Sequence, residues 1–346
     1  MRAVSVVGGP ANLPQLAPVA RALSASGDVE HLIIYAGRRD GPELVAAIAE
    51  LGLPPARYHL EVGGGSDGMQ IGLMLQRLEP ALAELRPDVV LAYGDDTAAA
   101  AAALAAGALR IRFGHVEAGL RSGDGAGGET IPRLVSDVLA DVLFVPSRDA
   151  IGALKAEGVA EERIQFVGSV RIDGLCWALA QGAAQAGDSA PYAVTSLHEP
   201  GAEIVQALGE LRSRFRIAPA PAAYVERMTL VASAALVVTD SDDLQDETSF
   251  LGIPCITLQA HTDHPTTCQH GTNRLVAPQR ETFLAAANRA LSRRAPARPL
   301  LERWDGRAAE RIARVLCDGA EFTSERESEV ASAARRRRAV ALPQMA

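Results

Sequence analysis

What most constrains this chain is a repeated alternation of a short apolar run, a polar or glycine-rich turn and a helix-length segment. Ala3 to Val7 opens into Gly8-Gly9-Pro10, after which Leu16, Ala17, Val19, Ala20 and Leu23 recur at helical spacing. His31 to Tyr35, Pro87 to Tyr93, Arg110 to Phe113 and Asp141 to Val145 continue the series. A second series runs through Ile164 to Val167, Tyr192 to Leu197, Ala235 to Thr239 and Pro254 to Leu258. Such alternation predicts an α/β fold with parallel, doubly wound sheets. At 346 residues the chain exceeds the usual size of one core. A boundary near Val167 to Ser169 gives an N-terminal domain over 1–168 and a C-terminal domain over 169–318. The remaining 319–346, with the run Arg335-Arg336-Arg337-Arg338, is expected to be a mobile, solvated tail.

Composition narrows the function. Apolar residues make up 48% of the chain but aromatic ones only 4%, with 31 Gly, which suits close packing of helices on sheets. The net charge of -8 excludes bulk affinity for nucleic acid or an anionic membrane, since both require dense Lys and Arg. Cys176, Cys255, Cys268 and Cys317 are widely spaced and form no CxxC pair, so they read as thiols in a reducing compartment. No signal-peptide pattern and no long apolar run occurs, and the expected location is the cytoplasm.

Polar groups concentrate where strands end. Gly114-His115-Val116-Glu117-Ala118-Gly119-Leu120-Arg121 places His, Glu and Arg within seven residues at the expected exit of a buried strand. Gly94-Asp95-Asp96-Thr97 follows the preceding strand and opens an Ala-rich helix from Ala98 to Leu109. Open parallel sheets bind ligands at the carboxyl ends of their strands. The plainer reading is that Asp95 or Thr97 caps the helix and Glu117 pairs with Arg121. Asp124 with Glu129, Leu197-His198-Glu199, and Thr239 to Glu247 are further ionisable clusters in loops. The last of these opens a helix, where backbone N–H groups can hold an anion.

Taken in order, these motifs resemble those of the non-hydrolysing UDP-N-acetylglucosamine 2-epimerases, from about Val4 to Leu316. The similarity rests on Gly94-Asp95, His115 to Arg121, Gly128 to Arg133, Gly168-Ser169-Val170-Arg171-Ile172-Asp173-Gly174, His198, Thr239-Asp240-Ser241 and Trp304-Asp305-Gly306. The resemblance implies two Rossmann-like domains facing across a cleft, like the GT-B glycosyltransferases, with the C-terminal domain trimmed. It also implies a nucleotide-sugar substrate, no cofactor and a homodimer, or a hetero-oligomer with a paralogue. The implied reaction removes the C2 proton, expels UDP to give a 2-acetamidoglucal, and re-adds UDP after reprotonation on the other face. By position, Asp95, Glu117, Glu129 and His198 would be the acid, base and positioning groups. Gly8, His115, Arg121, Ser241, Asp242, Asp243 and Glu247 would contact substrate.

Departures from the family pattern fall on the phosphate side. Pro10 stands where an Arg is usual and Gln15 where a Lys is frequent, while Ser-Gly-Gly becomes Ser241-Asp242-Asp243. A carboxylate about 4 Å from a phosphate would cost on the order of 4 kcal/mol at an effective dielectric near 20. Mg²⁺ held by Asp240, Asp242, Asp243, Asp246 and Glu247 would turn that repulsion into a bridge, although a solvated acidic helix start accounts for the same residues. His261, His264, Cys268 and His270 match no common zinc spacing and read as ordinary loop residues. The same departures also fit a non-catalytic partner subunit or ligand sensor, or a different reaction such as elimination, hydrolysis or glycosyl transfer.

Overall fold

Apolar runs such as Ala3 to Val7 and Val89 to Tyr93 become strands here because helices cover both faces of each sheet. The computed structural model describes residues 1–38, 42–122, 131–182, 190–242, 244–292 and 299–318. Asp124, Glu129, Asp243 and the arginines at 335–338 lie outside the described residues. The first sheet contains β1 (Arg2–Val7), β2 (Glu30–Tyr35), β3 (Tyr58–His59), β4 (Val89–Tyr93), β5 (Arg112–Val116), β6 (Val142–Val145) and β7 (Ile164–Phe166). Their order is β3-β2-β1-β4-β5-β6-β7, and every pairing is parallel. The second contains β8 (Tyr192–Ser196), β9 (Arg216–Pro219), β10 (Leu236–Thr239), β11 (Cys255–Thr257) and β12 (Asn273–Leu275), in the order β12-β11-β10-β8-β9, again parallel. No described helix is long and apolar enough to cross a membrane, and none of the four cysteines is in a disulfide.

Three apolar layers result. The outer layer of the first sheet is filled by Met74, Leu78 and Leu82 from helix Asp67–Leu85 and by the alanines of helix Thr97–Leu109. Alanine all round lets these two helices and the sheet approach closely, and Asp96 caps the alanine helix by accepting from Ala99 N–H at 2.9 Å. The cap is therefore Asp96, where the sequence pointed to Asp95 or Thr97. The outer layer of the second sheet is smaller, built on Ile204, Leu211, Ile256 and Phe283.

The inner layer is continuous between the sheets. It joins Leu16, Val19 and Leu23 of helix Leu13–Ala25 to Ile172 and Leu175 of helix Val170–Gln181 and to Val194 and Val237 of the second sheet. Helix Ala308–Cys317 returns from the end of the chain to pack on the same two helices through Ile312 and Leu316. Two carboxylates fasten the layer by capping helices distant in sequence. Asp173 accepts from Ala308 and Ala309 N–H at 3.1 and 2.7 Å, and Glu50 accepts from Tyr224 and Val225 N–H at 2.9 and 2.8 Å. Burial pushes the Asp173 carboxyl up to about 6 against the opposing pull of those N–H groups.

Gly168, two residues past β7, sits at φ +93°, and a Cβ there would overlap the carbonyl oxygen of Arg303. A side chain at this junction meets both backbone strain and fixed main chain. Gly168→Ala should destabilise the protein by about 2 kcal/mol or more, measured by denaturant unfolding, whereas Gly209→Ala, in open space on an exposed helix, should not.

Candidate active site

The carboxyl ends of β1, β4 and β5 face those of β8, β10 and β11 across a cleft whose wall contains two adjoining cavities. One, of about 520 Å³, is lined by Asn12, Gln15, Asp95, Glu117, Arg133 and His264 among others. The other, of about 870 Å³, is lined by Glu50, His198, Tyr224, Arg227, Leu244 and Glu247 among others. Arg171, Pro10 and Ala11 belong to both.

The motif from Gly114 to Arg121 divides into one residue that faces this cleft and a frame that holds it. Helix Thr97–Leu109 ends with Arg110 in the left-handed region at φ +57°, so β5 starts at Arg112 and continues through Val116. His115 therefore lies inside the strand, where its side chain is fully buried. Its Nδ1 is 2.6 Å from Asp137 Oδ1 and its Nε2 is 2.6 Å from the Gly94 carbonyl. Asp137 Oδ2 accepts from Gly119 N–H at 3.2 Å and pairs with Arg121 Nη1 at 2.8 Å. Arg121 also pairs with Glu157, its Nε and Nη2 donating at 2.9 and 3.0 Å. His115 and Arg121 were expected to contact substrate. Both are buried and held by the Asp137 carboxylate, and neither lines either cavity. Burial opposes the Asp137 charge, but His115 and then Arg121 hold its carboxyl below the ordinary range.

Glu117 is the member that reaches the cleft. Its backbone sits at φ +65°, a strained conformation for glutamate. Its side chain is only 3% exposed, between Gln15 Nε2 at 2.7 Å and Arg171 Nε at 3.3 Å. Glu117 does not pair with Arg121. Its cation comes from the first turn of helix Val170–Gln181, and the neutral amide of Gln15 supplies the second donor. Asp95, more exposed, lies 3.4 Å from Arg133 Nη2, and Arg133 also pairs with Asp263. Gly8 lines the same cavity, and its N–H donates to Asn12 Oδ1 at 3.2 Å. A Cβ at Gly8 would overlap the Asp96 carboxylate, which burial pushes up to about 6.

From the second sheet, His198 lines the larger cavity with 68% of its side chain exposed, its Nδ1 2.8 Å from Asp240 Oδ1. Glu247 lines the same cavity and is buried. Ser241 and Asp242, expected to contact substrate, line neither cavity. Ser241 N–H donates to Thr239 Oγ1 at 3.2 Å, and Asp242 Oδ1 accepts from Gln245 Nε2 and Thr262 Oγ1 at 2.7 and 3.1 Å. The acidic cluster is thus distributed among separate partners. No group of three His, Cys, Asp or Glu suited to a metal ion occurs among the described residues.

Sequence reasoning gave Gln15, Arg133 and Arg171 no place among the site residues, offered Asp246 only as a Mg²⁺ ligand and read His264 as an ordinary loop residue. His264 Nδ1 is 2.8 Å from Asp246 Oδ1, and Asp246 Oδ2 accepts from Ser169 Oγ at 2.7 Å. Burial opposes the imidazolium, but the charge and hydrogen bond of Asp246 outweigh it, with help from Asp242, and push the His264 pKa up to about 9. The one available signal was positional. Arg171 and His264 both lie in segments that follow strand ends, β7 and β11.

A family model described as UDP-N-acetylglucosamine 2-epimerase matches residues 21–199 and 182–317. The chain belongs to the UDP-N-acetylglucosamine 2-epimerase family. Among relatives of this 2-epimerase family, the UDP-N-acetylglucosamine 2-epimerase of Methanocaldococcus jannaschii is 29% identical over 92% of this chain and 100% of its own length. The UDP-2,3-diacetamido-2,3-dideoxy-D-glucuronate 2-epimerase of Pseudomonas aeruginosa is 28% identical over 85% of this chain and 93% of its own. The crystal structure of the Methanocaldococcus jannaschii enzyme with UDP-GlcNAc and UDP superposes with a TM-score of 0.81 at 28% identity, covering 92% of this chain and 100% of that one.

Two outcomes follow from these networks. Asp137→Ala should lower stability by about 3–5 kcal/mol in denaturant unfolding, because it leaves His115 and Arg121 buried without their shared carboxylate. For His264, the folded pKa of about 9 exceeds the ordinary 6.5, so its stabilisation is complete below pH 6.5 and is lost as pH rises through about 9. Stability should therefore fall by about 3 kcal/mol across that window, and His264→Gln should flatten this part of the stability–pH curve.

Proposed function

We propose that this protein epimerises C2 of a UDP-activated amino sugar by eliminating and re-adding the nucleotide. The observation that carries the reading is Glu117, a buried carboxylate at the end of β5, turned into the cleft by a strained backbone and flanked by Gln15 and Arg171. Elimination requires a base at C2 and cationic or hydrogen-bonding groups near the departing diphosphate. Glu117 is the better base candidate, because its carboxylate is buried in the cavity whereas that of Asp95 is largely exposed. As Glu117 takes the proton, the C1–C2 double bond forms and the C1–O bond breaks, its electron pair leaving with UDP. Reprotonation on the opposite face and return of UDP to C1 complete the inversion.

Positive charge for the nucleotide comes from positions other than Pro10 and Gln15. Arg38, Arg133 and Arg171 line the smaller cavity, and Arg171 and Arg227 the larger. The names of the relatives, which act on UDP sugars carrying a 2-acetamido group, support the same substrate class. Incubation with UDP-GlcNAc in D₂O, followed by proton NMR, should reveal deuterium at C2. Glu117→Gln should lower that incorporation by 100-fold or more with an unchanged unfolding curve. Normal turnover by the variant would exclude Glu117 as the base.

A further inference from the structure

Outside the residues given roles above, His264 has the geometry of a group that acts on a ligand. It is only 6% exposed, yet it lines the cavity shared by Glu117, Asp95, Arg133 and Arg171. Its backbone is fixed on both sides, N–H donating to Thr262 Oγ1 at 3.0 Å and the carbonyl accepting from Thr267 Oγ1 at 2.7 Å. Its Nδ1 is occupied by Asp246, which is itself held by Ser169. Its other ring nitrogen, Nε2, has no hydrogen-bond partner among the described residues. A carboxylate on one ring nitrogen orients the imidazole and leaves the opposite N–H to donate elsewhere.

We propose that His264 is a catalytic residue whose Nε2–H donates to the phosphate oxygen on C1 as the C1–O bond breaks, an assignment that rests on the epimerase reading. The electron pair of the broken bond stays on that oxygen, and the imidazolium hydrogen bond or proton offsets the charge that develops there. The C2 proton goes to Glu117, so donor and acceptor lie in one cavity, which Arg171 also lines. When UDP returns to C1, the proton stays on, or goes back to, Nε2. His198 is less suited to this role, being mostly exposed in the larger cavity.

The surroundings keep His264 cationic. Asp246 faces it from helix Gln245–Leu251, Asp242 from the turn after β10 and Arg171 from helix Val170–Gln181. Glu117, Asp95 and Arg133 share its cavity from β5, β4 and helix Ile131–Leu139. The two aspartates outweigh burial and Arg171, and the ring titrates at about 9.

The test is kcat and KM for UDP-GlcNAc against pH in the full chain, with C2 deuterium incorporation as an independent count of proton abstraction. In the unmodified protein kcat should fall along an alkaline limb near pH 9. His264→Gln should lower kcat by about 100-fold with KM changed less than threefold, and the limb should disappear. Asp246→Asn should move the limb toward the ordinary histidine value. An unchanged kcat and limb in His264→Gln overturns the assignment while leaving the epimerase reading intact. If that variant does not fold, the unmodified protein decides, since a kcat that is flat to pH 10 also overturns it. An unmodified protein that incorporates no deuterium at any pH overturns both readings.

Discussion

The arrangement depends on one apolar layer shared by two sheets. Helix Leu13–Ala25 is buried along Leu13, Leu16, Val19 and Leu23, because the first sheet lies on one side and helices Val170–Gln181 and Ala308–Cys317 pack against it as well. Each fully buried aliphatic side chain contributes about 1.5–3 kcal/mol relative to exposure, so parting the sheets through this layer would be costly. Holding the layer together makes the carboxyl ends of β1, β4 and β5 face those of β8, β10 and β11. The cleft is therefore a consequence of packing behind it. Polar contacts also join the two sides, as where Glu50 caps the helix starting at Tyr224 and Glu117 pairs with Arg171.

The same division between frame and site occurs within one motif. Asp137 binds the ring of His115, the amide of Gly119 and the guanidinium of Arg121, all from the buried side. Those contacts fix the turn that puts Glu117 at φ +65°. A strained backbone persists only when its surroundings over-determine it, and here a buried ionic hub supplies that determination.

Much of the fold was legible in the sequence, since runs such as Ala3 to Val7 and Pro87 to Tyr93 are long enough to show apolar continuity. β3 is Tyr58-His59 and β12 is Asn273-Arg274-Leu275, short and partly polar, so neither shows an apolar run and both escape a reading by pattern. Asp95, Glu117 and His198 were legible as cleft residues because each lies within two residues of a strand's end. The burial of His115 was not legible because β5 runs three residues further than the apolar run Arg110 to Phe113 implies, which places His115 inside the strand. Arg171 and Gln15 were missed because their partner, Glu117, lies 54 and 102 residues away. Such pairings are set by how sheets stack, which local pattern does not encode.

Asp242 shows why a charge read from sequence can act in the opposite sense in the structure. Facing a phosphate at about 4 Å, its carboxylate would repel by on the order of 4 kcal/mol. Instead its Oδ1 is turned to Gln245 and Thr262, and its field acts on His264, where it adds to Asp246 in favouring the protonated ring. His198 with Asp240 is chemically the same kind of pair, at the same 2.8 Å, but its ring is mostly exposed to water. Coulombic coupling is weak in water and strong in a buried site. Burial thus turns acidic residues near the cleft into the means of keeping a cation there, and the sign of a residue's effect on an anionic ligand follows from which group it touches.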